Sequence, residues 1–247
     1  MTVKIFHTPY IVAENLAGYL VNMINVSAKL QKPFSLALPG GSTPELLFTS
    51  LGDNFSKSVP WQYVHLFWGD ERCVPPDSTE SNYGMAKRSF IDKINIPESN
   101  IHRIKGEDEP GKESLRYSGE IAGCLAERGG LPVFDLIILG LGEDGHTASI
   151  FPGHTEILYS GRICEVAVHP VTGQKRVTLT GKILNNAHVV AFLVTGKKKA
   201  VTVAGIMNNS PSDLNAPASC IVPVYGELIW FLDKEAGSLL EEEQSLK

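Results

Sequence analysis

The chain has 247 residues, 43% of them hydrophobic, enough for a substantial core in one α/β domain of ordinary size or two small ones. A formal net charge of -5 argues against a general nucleic-acid binder, which needs a basic face. No apolar run approaches a membrane span, the N-terminal Met1-Thr2-Val3-Lys4-Ile5-Phe6-His7 lacks signal-peptide architecture, and Cys73, Cys124, Cys164 and Cys220 form no C-x-x-C pair. With no linker or repeat, the reading is one domain over residues 1–247, in a reducing cytoplasm, its thiols neither bridged nor metal-bound.

Residues 10–30 carry Leu16, Leu20, Met23, Ile24 and Leu30 roughly on one stripe, which predicts an amphipathic helix packed on a core. Pro33 closes it, and Phe34-Ser35-Leu36-Ala37-Leu38 reads as a short strand. That strand runs into Pro39-Gly40-Gly41-Ser42-Thr43-Pro44, where Ser42 or Thr43 suits an N-cap and Pro44 the first helical position. Free backbone N–H groups and the positive end of a helix dipole would converge there, a setting for phosphate. The competing reading is an ordinary, well-capped βα turn. Neither the Walker A spacing nor G-x-G-x-x-G is present.

The next strand, Tyr63-Val64-His65-Leu66-Phe67-Trp68, leads into Gly69-Asp70-Glu71-Arg72, read as a loop at a strand's carboxyl end. Arg72 offers a rigid fork for phosphate or carboxylate, which Asp70 and Glu71 could orient. His65 reads as a packed or edge histidine. Ser81-Asn82-Tyr83 opens a helix to about Asp92, and residues 114–127 predict another, with Leu115, Ile121, Cys124 and Leu125 inward and Gly129-Gly130 ending it.

Phe134-Asp135-Leu136-Ile137-Ile138-Leu139 is a strand buried on both faces, followed by Gly140-Leu141-Gly142-Glu143-Asp144-Gly145-His146-Thr147-Ala148-Ser149. Open α/β sheets place ligands at such strand ends, and an imidazole titrates near neutrality, so His146 is the candidate general base. Phe151-Pro152-Gly153-His154 stops any long helix, and His154 reads as surface. Residues 163–168 and 176–180 are strands, with Arg176 facing either cleft or solvent. Residues 187–194 form a buried strand leading to Thr195-Gly196-Lys197-Lys198-Lys199. Lysines in a first helical turn oppose the helix dipole, a cost that an anion beside Lys199 would offset. A last strand falls near residues 228–232, and residues 241–247 are expected to fray.

In a doubly wound, mostly parallel α/β sheet with helices on both faces (Rossmann-like), these strand ends share one edge. They combine anion-binding groups with one base. No His/Cys/Asp group has metal-ligand spacing, and no G-x-S-x-G elbow is present. The residues alone reach a small phosphorylated substrate and acid/base chemistry.

Six segments, Gly40-Gly41-Ser42-Thr43-Pro44, Gly69-Asp70-Glu71-Arg72, Ser81-Asn82-Tyr83, residues 140–153, Arg176-Val177-Thr178-Leu179-Thr180 and Gly196-Lys197-Lys198-Lys199-Ala200, resemble in order the motifs of 6-phosphogluconolactonases. The resemblance extends over nearly the whole chain. A sister family, the glucosamine-6-phosphate deaminases, shares several segments but has Asn-Glu-Pro after its Asp-Gly-His and Asp-Glu-Tyr in place of Asp70-Glu71-Arg72. Pro39 departs from the expected Ser. The resemblance implies hydrolysis of 6-phosphoglucono-δ-lactone without cofactor or metal. His146 would be the base, Asp144 would orient it or bind hydroxyls, and Arg72 would serve the oxyanion or the phosphate. Gly41, Ser42, Thr43 and Lys199 would hold the phosphate, with Asp70, Glu71, Asn82, Gly145 and Arg176 as further candidates. The expected partner is a small-molecule sugar-phosphate lactone, with no nucleic acid and no membrane, for a monomer or homodimer. Deaminase/isomerase chemistry on an amino-sugar phosphate and a non-catalytic sugar-phosphate sensor are the rivals.

Overall fold

A computed structural model describes residues 1–208 and 216–240. In chain order the elements are β1 (Thr2–Phe6), α1 (Pro9–Lys29), β2 (Phe34–Leu38), α2 (Ser42–Asn54), β3 (Val64–Trp68), β4 (Asp70–Arg72), α3 (Asn82–Ser89), α4 (Pro110–Cys124), β5 (Glu127–Arg128) and β6 (Leu131–Pro132). They continue with β7 (Leu136–Leu139), α5 (Glu156–Tyr159), β8 (Cys164–Val168), β9 (Lys175–Leu179), α6 (Gly181–Leu184), β10 (Val189–Val194), α7 (Ala200–Met207) and β11 (Glu227–Asp233).

Six strands form one parallel sheet in the order β1-β11-β10-β7-β2-β3. Every residue of β2, β7 and β10 is buried, so helices cover both faces of the middle of this sheet. A second, antiparallel sheet in the order β4-β9-β8 leans on its edge. Gly69 joins the two, donating its N–H to Leu38 O at 2.9 Å and accepting from Leu179 N at 2.8 Å.

Helix α1 follows its stripe. Thr8 Oγ1 accepts from Ile11 N at 3.3 Å as the cap, Pro9 takes the first turn, and Val12, Leu16, Leu20 and Ile24 are buried. Leu30, expected on that stripe, is 63% exposed because it lies past the last turn as the C-cap. Residues 69–72 are not simply a loop: Asp70–Arg72 is a strand paired with β9, which three charged and polar residues could not signal by alternation. Helix α4 begins earlier than expected, at Pro110, and turns Tyr117 and Ile121 inward, leaving Leu115 and Cys124 exposed. Gly129-Gly130 do not end that helix. Both have positive φ and form the turn between β5 and β6. Strand β1 was not read from the sequence, since its partner β11 lies at the other end of the chain. Residues 241–247 lie outside the described residues.

The pairing between β2 and β7 positions the site. At their amino ends they are tied: Asp135 Oδ2 accepts from Ser35 N and Oγ at 2.8 Å each, and Asp135 N donates back to Ser35 Oγ at 2.9 Å. Their ladder covers only Leu36↔Leu136 and Ala37↔Ile137. Beyond it Leu38 pairs away with Trp68 and Ile138 with Ala191. The chain leaves β2 towards β3 and leaves β7 towards β10, so this is the switch point of the sheet, where a crevice opens at the carboxyl ends.

Tyr117 of α4 fastens the end of β3 beside that crevice. Its buried hydroxyl accepts from Trp68 N at 2.8 Å and donates to Trp68 O at 3.0 Å. Tyr117→Phe leaves both backbone groups without their partner and is expected to cost about 1–3 kcal/mol. A urea titration reads this as a lower midpoint at an unchanged slope.

Candidate active site

A cleft of about 210 Å³ lies at the switch point, lined by Gly40 and Gly41 after β2, by Asp70 and Arg72 of β4, by the loop after β7, and by Asn82, Arg176 and Lys199. His146 lines it too. Its Nδ1 lies 2.6 Å from Asp144 Oδ1, which also accepts from the His146 backbone N–H at 3.1 Å. An ionised carboxylate only accepts, so Nδ1 carries the ring proton and Nε2 keeps its lone pair as the basic atom. Burial pushes the Asp144 carboxyl up, but the His146 backbone N–H, charge and ring outweigh it and hold the group below the ordinary aspartate range. Gly142 makes this pair possible. A Cβ there would stand 2.1 Å from His146 Nδ1 and 2.3 Å from Asp144 Oδ1. The loop closes on itself by Gly142 N to His146 O at 2.8 Å and Gly145 N to Gly142 O at 3.2 Å. The N–H of Gly145 is therefore occupied.

Arg72 and Arg176 face each other as paired residues of β4 and β9. Each has a buried Nε without a hydrogen-bond partner, and both line the cleft. Arg72 Nη1 donates to Glu80 O at 2.5 Å, and Arg176 Nη1 reaches Ser149 Oγ at 3.4 Å and Asp70 Oδ2 at 4.0 Å. Burial pulls the Arg176 guanidinium below its usual range, with Asp70 opposing and Arg72 reinforcing that shift. Two adjacent guanidinium groups lining a cleft have the chemistry that suits an anion. The carboxylates beside them have separate duties. Asp70, 6% exposed, accepts from Ser149 Oγ at 2.6 Å, and its carbonyl holds Asn82 Nδ2 at 2.8 Å. Glu71 is not part of the reacting surface. It caps α3, accepting from Asn82 N and Tyr83 N at 2.8 Å each and from Ser81 Oγ at 3.0 Å. Burial raises its pKa against those bonds.

Gly41, with φ +108°, is itself the N-cap of α2, so neither Ser42 nor Thr43 caps the helix and Pro44 sits two residues past the first helical position. The first intrahelical bond comes from Glu45 N to Gly41 O at 3.3 Å, so Pro44 forfeits nothing there. Ser42 is exposed, and Thr43 Oγ1 is engaged with Thr195 Oγ1 at 2.8 Å; what this turn offers an anion is its backbone N–H groups. Lys199 lines the cleft from the short 3₁₀ turn before α7. Burial lowers its pKa from the ordinary lysine value, with Glu143 and Asp144 opposing. Lys197 and Lys198 are exposed.

Of the other histidines, His169 stands beside the site, meeting the Phe151 ring that packs against His146; three more lie away from the cleft. His154 is exposed beside Glu156, and His65 bonds His102 at 3.0 Å, which bonds Glu120 at 2.9 Å. Sequence reasoning missed Ala148, which lines the cleft with φ +48°, and the ring of Phe151 behind His146. A non-glycine residue in the left-handed region leaves no signature in the sequence. Among the described residues no group of three or more His, Cys, Asp or Glu could hold a metal ion, and no helix is long and apolar enough to cross a membrane.

A parallel sheet with a His–Asp pair and clustered cations at its switch point defines an α/β enzyme site for an anionic substrate. The chain belongs to the family described as glucosamine-6-phosphate isomerases/6-phosphogluconolactonase, whose model matches residues 8–230. It is 40% identical to the 6-phosphogluconolactonase of Treponema pallidum over 91% of this chain and 89% of that one. It is likewise 40% identical to that of Haemophilus influenzae, over 92% and 97%. The solved 6-phosphogluconolactonase of Trypanosoma brucei superposes with a TM-score of 0.84 at 30% identity, over 97% of this chain and 98% of the other.

Gly142→Ala tests the local geometry. The added methyl must separate His146 from Asp144, so turnover is expected to fall about 10²-fold or more, the scale of a misplaced general base, while thermal unfolding shifts little.

Proposed function

We propose that the chain hydrolyses 6-phospho-D-glucono-1,5-lactone to 6-phospho-D-gluconate, with His146 as general base. The observation that carries this reading is the oriented His146–Asp144 pair in the same cleft as the paired Arg72 and Arg176. His146 Nε2 takes a proton from water, and the resulting hydroxide attacks the lactone carbonyl carbon. The tetrahedral oxyanion is stabilised by an arginine or by free backbone N–H groups. The C–O bond to the ring oxygen then breaks, and protonated His146 returns its proton to that oxygen. Asp144 holds the ring and stabilises the imidazolium. The phosphate sits among the backbone donors of residues 41–43, Lys199 and the arginines, a placement supported by the cations that line the cleft and lack full pairing. The same reading places the enzyme in the cytoplasm, in the oxidative pentose phosphate pathway.

Lactone generated in situ and followed against its spontaneous hydrolysis tests the reaction. His146→Ala is expected to lower kcat by about 10²–10⁴-fold, and Lys199→Ala chiefly to raise KM. Wild-type protein that leaves the spontaneous rate unchanged, or releases ammonia from glucosamine 6-phosphate, refutes the assignment. The lowered pKa of Lys199 adds a pH dependence. Its charge is present at low pH and is lost at a lower pH than an ordinary lysine's, so KM rises as the solution turns alkaline. Lys199→Arg keeps its charge there and flattens that rise.

A further inference from the structure

Phe151 belongs to a segment for which the catalytic reading has no use, yet it touches two of the groups on which that reading rests. Its side chain is 1% exposed. The His146 ring lies against it at a centroid distance of 4.9 Å, and the guanidinium carbon of Arg176 stands over it at 5.5 Å. His169, on the turn between β8 and β9, meets its edge at 5.0 Å. The chain brings Phe151 back under His146 through the turn from Thr147 to Ile150, closed by Ile150 N to Thr147 O at 3.0 Å and passing through Ala148 at positive φ.

One side of the His146 ring is therefore held in plane by Asp144 and its flank is set by Phe151. We propose that Phe151 is a positioning residue: it fixes the His146 ring for proton transfer and supports the imidazolium formed during turnover, while holding the neighbouring Arg176 in place. This rests on His146 being the base. The physical need is specific. When His146 gains a proton it becomes a cation in the cleft that Arg176, Arg72 and Lys199 line, near His169, and among the described residues Asp144 is the carboxylate at hydrogen-bond distance to offset it. An aromatic ring attracts a cation that lies over its face within ~6 Å; Arg176 stands over the Phe151 ring, and the His146 ring packs against it at a tilt of 50°, so that a proton gained by His146 adds a positive charge beside the same ring. An aliphatic side chain would fill the same volume and offer no such field.

The test uses Phe151→Leu and Phe151→Met, which keep an apolar filler but remove the ring, and Phe151→Tyr, which keeps it. The proton affinity of His146 is read by NMR titration without substrate, beside lactone turnover and thermal unfolding. In the Leu and Met variants the imidazole is expected to bind its proton about three- to tenfold more weakly than in the wild type, with kcat about tenfold lower. Phe151→Tyr should keep the wild-type titration. An unchanged titration in a folded Leu or Met variant overturns the proposal, even if stability or kcat falls, because packing alone would do that. If Leu does not fold, Met supplies the same reading. A wild-type protein without lactonase activity would remove the assigned reaction but leave the titration result intact.

Discussion

The structure turns on the short pairing between β2 and β7. A hydrogen-bonded ladder holds two strands at fixed separation, so nothing can enter between them while it continues. Here it ends after two residue pairs. Ser35 and Asp135 hold the amino ends together with three hydrogen bonds. The neighbours β3 and β10 draw the carboxyl ends to opposite sides. The gap between the glycine turn after β2 and the histidine loop after β7 follows from that divergence. Rigid strands tied at one end and open at the other fix where the crevice opens, and the loops after β2 and β7 supply much of its walls.

Charge is divided economically around that crevice. Three carboxylates near the cleft each have one partner set: Asp144 takes His146, Asp70 takes Ser149 and the edge of Arg176, and Glu71 takes the amino end of α3. None of them neutralises both arginines. Arg72 and Arg176 remain side by side at the cleft, each with a buried Nε that lacks a partner, a costly arrangement in a protein interior. The small antiparallel sheet achieves this, since the register Arg72↔Arg176 sets two like charges opposite one another.

Much of this was legible in the chain. Apolar runs at residues 134–139 and 187–194 marked buried strands and residues 34–38 a short one, and the end of each at which Gly and polar residues clustered marked the ligand edge. The imidazole of His146, the fork of Arg72 and the lysine Lys199 were all identified by side-chain chemistry, and all three line one cleft. Less visible were roles that depend on hydrogen bonds between distant segments. Glu71 looked like a member of the reactive cluster and is a helix cap. Thr43 looked like a cap and pairs with Thr195. Arg176 was undecided between cleft and solvent until its strand register was known.

The sequence by itself determined much of the alternation of strands and helices, and it pointed to the loops that carry polar and titratable groups and to His146 as the candidate base, because periodicity and side-chain type are local properties. Only the tertiary structure decided that Asp144 grips His146, that Arg72 and Arg176 stand together, that β1 joins the sheet, and that Phe151 packs against His146. Each of these is a contact whose distance depends on backbone torsions or on pairing between strands far apart in the chain. Such distances are settled by the packing of the whole molecule rather than by the residues that make the contact.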